Sequence, residues 1–344
     1  MRYGEYPVSA SHRIATRSER RKEKTKLLVI AGGRIEHREF SALPEYLEAG
    51  DWVVVNDAAT LPASLQGLHE RTKSRVEIRL AAATGDPMIW RAVVFGPGTW
   101  RLRTEERPAP PQLEVGDLIE LGPNLRARIT RVDEPRLIEI EFLTEHLWQS
   151  LYDVGKPVQY SYLEDELASW DQQTIFSGAP IAVEAPSASF PFTWDLVFRL
   201  KAKGVHVARV SHATGLSDTG DAELNKHLPL PEMSLVPRET REALARAKRE
   251  GRRVIAVGTG VVRALETWAG LRGEAETVFT ELKISPAHEL KVATGLLTGM
   301  HEEGASHLGL VGAFVGKQIL ARAYTEAKER EYLWHEYGDV CLIL

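Results

Sequence analysis

Arg253-Val254-Ile255-Ala256-Val257-Gly258-Thr259-Gly260-Val261-Val262-Arg263-Ala264-Leu265-Glu266 decides the fold. Residues 254–257 form an unbroken apolar run, as expected of a strand buried on both faces. Gly258-Thr259-Gly260 ends it, and apolar residues at helical spacing from Val261 to Trp268 predict a helix behind the turn. Upstream, residues 237–250 (PRETREALARAKRE) read as an amphipathic helix closed by Gly251. Helix, strand, turn and helix together predict a parallel α/β layer, whose ligands collect at the carboxyl ends of the strands. Such a turn aims backbone N–H groups at an anion or polar ligand. Taken alone, the motif serves equally well as a packing turn without a ligand. Arg263, one turn into the helix, can reach the same mouth.

Outward from this unit, residues 26–30 (KLLVI) and 51–56 (DWVVVN) read as further strands, with residues 34–38 pairing back on the first. Asn56-Asp57 places polar groups at a strand terminus, where site residues and simple turn chemistry both occur. From 62 to 143 the texture changes. Segments such as 76–80, 102–103, 118–121, 126–132 and 137–142 alternate apolar with polar residues, separated by Gly/Pro/Asp turns. Period two marks half-buried antiparallel strands. The expected architecture is α/β, with a parallel or mixed sheet in a catalytic domain of residues 1–61 and 144–344. A small antiparallel β-barrel, residues 62–143, is inserted into it. Later segments read as helices at 144–153, 163–170, 195–203 and 308–324, and strands at 181–183, 205–210, 278–285 and 340–344. Residues 212–221 (HATGLSDTGD) and 296–301 read as glycine-rich loops.

A length of 344 residues suits two domains or one domain with an insertion. The single cysteine, Cys341, excludes a disulfide framework and a multi-thiolate metal site. No apolar run approaches the roughly 18 residues of a membrane span, and no secretion signal is legible, so a cytoplasmic enzyme is expected. Net charge −5 argues against broad coating of nucleic acid. A basic cluster (Arg13, Arg17, Arg20, Arg21, Lys22, Lys24, Lys26) reads as a solvated arm or a local nucleic-acid contact. P-loop, HExxH and nucleophile-elbow patterns are absent. His301 and His307 are six apart, not four, so no metal site is expected. Histidines beside glycines at strand ends (His212, His301) suit acid–base work, although a structural role fits any one of them. Asp57, Glu232 and Asp339 are candidate carboxylates on the same logic.

Several stretches together resemble the S-adenosylmethionine:tRNA ribosyltransferase-isomerase (QueA) family. His37-Arg38-Glu39-Phe40, Tyr46-Leu47 with Gly50-Asp51, and Asn56-Asp57 with Leu61 to Gly67 are similar to its H-R-x-F, Y-L-x-x-G-D and N-D-T-R-V-I-P-A-R-L-x-G run. Gln173-Thr174, Ala185-Pro186 and Phe192-Thr193 resemble Y-Q-T-V-Y and A-A-P-T-A-G-L-H-F-T. His227, Glu232, Val236 and Pro237 fall where the family has H-K-M-H-S-E-x-x-x-V-P. The opening stretch looks like A-V-G-T-T-S-V-R-T-L-E. His301, Ala313-Phe314 and Tyr337-Gly338-Asp339 resemble N-F-H-L-P-K-S-T-L and Y-G-D. The chain departs from the family at Ala58-Ala59, Pro191, Leu230 and Glu302-Glu303-Gly304 and in the 211–218 loop, all polar loops, while the apolar framework is kept.

The resemblance implies transfer and isomerisation of the ribosyl moiety of S-adenosylmethionine onto 7-aminomethyl-7-deazaguanine in a tRNA anticodon, giving epoxyqueuosine. It implies no cofactor, S-adenosylmethionine as co-substrate, tRNA as partner and no membrane, and a monomer is expected. His301, Glu232 and Arg263 are expected in catalysis. Asn56, Asp57, Gly258, Thr259, Gly260, Thr193, His212 and Asp339 are expected to bind substrate. The departures keep open a related enzyme with a small-molecule acceptor, or a non-catalytic RNA-binding module.

Overall fold

The run Val254–Val257 is a strand with all four residues buried, the centre of the sheet that organises the molecule. The structure is a computed structural model that describes residues 12–17, 24–271, 276–302 and 306–344. Within the basic N-terminal cluster, Arg20, Arg21 and Lys22 lie outside the described residues. Chain order begins with β1 (Arg13–Ile14), β2 (Lys26–Ala31), β3 (Arg34–Glu39), β4 (Trp52–Asn56) and β5 (Ala59–Thr60). Then follow β6 (Ser64–His69), β7 (Ser74–Ala83), β8 (Ile89–Phe95), β9 (Leu118–Gly122), β10 (Leu125–Val132) and β11 (Leu137–Leu143). After α1 (Leu147–Val154) come β12 (Pro180–Ala182), α2 (Trp194–Ala202), β13 (His206–His212), β14 (Glu232–Leu235), α3 (Arg238–Arg249), β15 (Val254–Val257) and α4 (Thr259–Gly270). The chain closes with β16 (Thr277–Thr280), β17 (Gly295–Gly299), α5 (Ser306–Val311), α6 (Lys317–Glu329), β18 (Leu333–Trp334) and β19 (Val340–Ile343).

Nine strands form one mixed sheet in the order β16-β14-β13-β4-β15-β17-β19-β2-β3. Its centre, β13-β4-β15-β17, is parallel throughout. The strands flanking this centre on either side, β14 and β19, run antiparallel to it. Successive residues of a strand face opposite sides. Val54, Ala256 and Leu296 pack under α3, α4, α5 and α6. Val53, Val55, Ile255, Val257 and Leu297 pack under α2 and the 3-10 segment Phe40–Tyr46. Burial on both faces is the reason these strands read as continuous apolar runs rather than alternations.

Strands β6 to β11 close into a six-stranded antiparallel barrel, as the period-two texture predicts. Its outward arginines are largely ion-paired: Arg126 with Glu70, Arg128 with Glu141, Arg131 with Glu139 and Asp133. The barrel's apolar core also takes in Leu216, Leu224 and Leu230 from the segment after β13. The segment that follows a central strand of the sheet is thus anchored on the barrel. Among the described residues no helix is long and apolar enough to cross a membrane.

The structure corrects several local expectations. The long helix over 308–324 is two helices, α5 and α6, interrupted at Gly312 to Gly316, with Gly316 capping α6. Closely spaced glycines lower helix propensity enough for the chain to turn there. The helix expected over 163–170 is irregular chain up to residue 168, followed by a short 3-10 turn at Ser169–Gln172. The Gln159 side chain accepts from Leu167 N and donates to Asp165 O, replacing helical bonds. The strand at 278–285 ends at Thr280, whose hydroxyl accepts from Leu282 N. Residues 102–103 lie outside any strand, and residues 296–299 of the segment read as a glycine-rich loop belong to strand β17 (Gly295–Gly299). Six strands escaped the reading: β1, β5, β6, β8, β14 and β18. Within β6, Gly67 sits where a Cβ would be 2.8 Å from Glu120 O, so the strand has no side chain there to continue an apolar–polar alternation.

Candidate active site

Because β13, β4, β15 and β17 run parallel, their carboxyl ends share one edge of the sheet. That edge carries Asn56, His212, the Gly258–Gly260 turn and, two residues past β17, His301. Gly258 has φ +95°, a left-handed backbone that favours glycine. At Gly260 a Cβ would lie 2.6 Å from His212 Cδ2, so only glycine lets α4 begin against that ring. The glycine turn and the histidine of the next-but-one strand are thus packed together.

His212 is fully buried and held from all sides. Asn56 clasps its backbone: Oδ1 accepts from His212 N at 2.9 Å, and Nδ2 donates to His212 O at 2.9 Å. Its Nδ1 bonds Ser234 Oγ at 2.7 Å. Its Nε2 lies 3.0 Å from Glu232 Oε2, close enough for an ion pair but out of line for a hydrogen bond. Glu232 is 3% exposed. Its Oε1 accepts from Gly215 N at 2.8 Å, pinning the 212–221 loop. Its Oε2 accepts from Arg263 Nη1. Arg263 further donates from Nε to Leu282 O at 3.0 Å and from Nη2 to Thr280 O at 3.4 Å.

Burial lowers the Arg263 guanidinium to about 10, so it stays a cation at neutral pH. Burial, and then that cation, push the His212 imidazole down to about 3. The same two causes take His307 down to about 4. His307 stacks on His301, ring centroids 4.8 Å apart and nearly parallel. His301 Nε2 bonds Thr298 Oγ1 at 2.8 Å. Burial, His307 and His335 hold the His301 imidazole well below its ordinary value. The edge therefore presents neutral imidazoles around one buried Arg263–Glu232 pair.

These shifts make a pH prediction. Between the folded value of about 3 and the ordinary 6.5, the unfolded chain binds a proton at His212 that the folded chain does not. Stability is expected to fall as pH drops below about 6.5, with a slope of about 1.4 kcal/mol per pH unit for each such proton. His307 supplies a second proton between 6.5 and about 4. Urea melts from pH 7.5 to 4.5 check this. His212→Gln should remove one proton's worth of slope, and an unchanged slope contradicts it.

The structure brings His301, Arg263, Glu232, His212, Asn56 and Gly258–Gly260 to this edge. Three other expected residues are occupied elsewhere. Asp57 Oδ1 accepts from Ser211 Oγ at 2.5 Å, and Arg209 lies 3.7 Å from its other oxygen. Ser211 and His212 point to opposite faces of β13, so Asp57 stands apart from the His212 cluster. Thr193 caps α2 by accepting from Leu196 N. Asp339 accepts from Lys26 N and Leu333 N, clamping β2 to β18. Sequence reading missed Ser234, Thr298 and the stacking role of His307. It also missed Glu184, a half-buried acid raised chiefly by desolvation, which accepts from Tyr160 Oη at 2.7 Å and from Ser217 N at 3.0 Å. None sits in a spacing motif; tertiary contact alone assembles them.

A family model described as "Queuosine biosynthesis protein" matches residues 6–343. The chain belongs to the queuosine biosynthesis protein family. Within that family, the S-adenosylmethionine:tRNA ribosyltransferase-isomerase of Aquifex aeolicus is 33% identical over 317 residues, covering 90% of this chain and 89% of the relative. The corresponding protein of Methylocella silvestris is 34% identical, covering 96% and 94%. The crystal structure of an S-adenosylmethionine tRNA ribosyltransferase from Thermotoga maritima superposes with a TM-score of 0.53 at 28% identity, covering 96% of each chain. The family assignment thus spans the barrel, the mixed sheet and the strand ends that carry the site.

Proposed function

We propose that this chain is a transferase-isomerase of queuosine biosynthesis. It transfers and isomerises the ribosyl moiety of S-adenosylmethionine onto 7-aminomethyl-7-deazaguanine in the tRNA anticodon, yielding epoxyqueuosine and releasing adenine and methionine. The observation that carries this reading is the convergence of His212, Glu232, Arg263 and His301 at the carboxyl ends of four parallel strands, in a chain whose family relatives bear that name. The sulfonium of S-adenosylmethionine acidifies the adjacent C5′ hydrogens. A positioned neutral base can then generate a carbon nucleophile.

His301 suits that role. Kept neutral, it can donate from Nε2 to Thr298 Oγ1 and leave the Nδ1 lone pair to accept the proton. The donors of Arg263 go to Glu232, Leu282 and Thr280, so it supplies positive potential and holds Glu232 rather than gripping substrate itself. The N–H groups of the first α4 turn face a polar group of the substrate. All these side chains come from one chain, so a monomer suffices, working in the cytoplasm where tRNA is modified.

The test incubates the protein with S-adenosylmethionine and an anticodon stem-loop carrying the aminomethyl-deazaguanine. Chromatography should find adenine and methionine released in equal amounts, with a matching mass gain on the modified nucleoside. His301→Ala should lower the rate by about 10²–10⁴-fold, the span of a lost general base. A folded wild-type protein that releases no adenine would refute the activity. An undiminished His301→Ala rate would remove that residue from the mechanism.

A further inference from the structure

Away from the buried Arg263–Glu232 pair, three side chains from distant parts of the chain meet at one point. His12 Nε2 lies 2.9 Å from Glu302 Oε1, and His335 Nε2 lies 2.8 Å from that same oxygen. The three ligating atoms all fall within 4.8 Å of one another. Among the described residues this is the one group of three such donors so placed. We propose that His12, Glu302 and His335 form a divalent transition-metal site of the zinc or cobalt type, with a remaining coordination position open to water or ligand.

The donor set argues for that class of ion. Two imidazoles and one carboxylate suit zinc, cobalt, nickel or iron(II) better than calcium or magnesium, which favour all-oxygen shells. Both imidazoles aim at one carboxylate oxygen rather than one at each, as ligands do when they surround a common point. Metal–ligand bonds of about 2.0–2.2 Å in a tetrahedron place neighbouring donors about 3.3 Å apart. The two nitrogen–oxygen distances need only widen by about 0.5 Å to admit the ion.

The rings are also fixed in place. His12 packs 5.5 Å from the Trp334 ring, and His335 lies 4.5 Å from the Tyr162 ring. His335 is held at φ +70°, an uncommon backbone for a residue other than glycine. Glu302 adjoins His301 in the chain, and Trp334 Nε1 donates to His301 O at 3.2 Å. The ion would therefore tie β1, β18 and the 301–302 segment together beside the proposed base. No stretch of sequence could suggest this, since its donors stand at 12, 302 and 335.

The test strips the full-length protein with chelating resin and titrates it with cobalt(II), followed by visible absorption, and with zinc(II), followed by calorimetry. One equivalent per chain is expected, with the d–d bands of a nitrogen/oxygen site. His335→Gln and Glu302→Gln should each weaken zinc binding at least 10-fold while circular dichroism stays native. Because His301 and His307 are a neighbouring imidazole pair, the double variant His301→Gln/His307→Gln is measured alongside and should still bind one equivalent. Absence of binding by the folded wild type would overturn the site. So would undiminished binding in a His12→Gln/Glu302→Gln/His335→Gln variant, or loss of binding only in the His301/His307 variant.

Discussion

Replacing Glu232 with alanine should cost about 3–5 kcal/mol of folding stability, the usual penalty for leaving a buried charge without its partner. The same change should reduce adenine release at least about 100-fold. Two donors lose their acceptor together, Arg263 Nη1 and Gly215 N, and the carboxylate beside His212 Nε2 disappears with them. Arg263 cannot escape to solvent, because Leu282 O and Thr280 O hold its other nitrogens. Without its Glu232 tie, the 212–221 loop is free to leave the barrel seam where Leu216 is buried. Glu232→Gln keeps an acceptor for Gly215 N and removes only the charge, so its stability loss should be the smaller of the two. Urea melts and adenine chromatography decide the matter. A Glu232→Ala protein within 0.5 kcal/mol of wild type, on the order of a surface substitution, would show that the pair does not hold the site together.

The second large effect is expected on the covered outer face of the barrel strand β7, where Glu77, Arg79 and Arg107 are 2%, 1% and 3% exposed. Glu77 Oε1 accepts from Arg79 Nε at 2.7 Å and Ser64 Oγ at 2.8 Å, and Oε2 accepts from Arg107 Nη1. Both guanidiniums lie over the Phe95 ring, at 5.0 and 5.4 Å. Glu77→Ala leaves two buried cations side by side and should destabilise by about 3–5 kcal/mol. Replacing all three with apolar residues of similar volume should be near neutral or stabilising, because desolvation of the ions then disappears as well.

The pH dependence follows from the same geometry. Burial pushes the Glu77 carboxyl up, but Arg79 and Arg107 override it and hold the group below its ordinary 4.5. A depressed folded value means stability that is present above about 4.5 and lost as pH falls below it. In denaturation melts the stability gap between wild type and Glu77→Gln should therefore be smaller at pH 3.5 than at pH 6. A constant gap would contradict the assignment.

The parallel centre of the sheet was legible because burial on both faces leaves an unmistakable apolar run at Val254–Val257 and in DWVVVN. The barrel was legible from period-two alternation, except in β6, SLQGLH, where Gly67 leaves a gap in the pattern, and in β8, IWRAVVF, which lacks polar alternation. Helix limits failed where side chains replaced backbone bonds, as Gln159 does around 165–167. At the site, Arg263 and His301 were readable as polar groups just past buried strands. Thr193, Asp57 and Asp339 looked the same in sequence, yet serve a helix cap, a Ser211 contact and a strand clamp. A polar residue at a strand end satisfies backbone or ligand with the same atoms, and local pattern cannot separate the two.

The sequence by itself determined the layers of this protein, since periodicity and burial are local consequences of which residues face oil and which face water. Only the tertiary structure decided which polar groups meet. Glu232 reaches Arg263 from 31 residues away, and Glu302 reaches His12 from 290. Those encounters depend on strand order and register, which place distant residues within hydrogen-bonding reach without leaving any spacing signal along the chain.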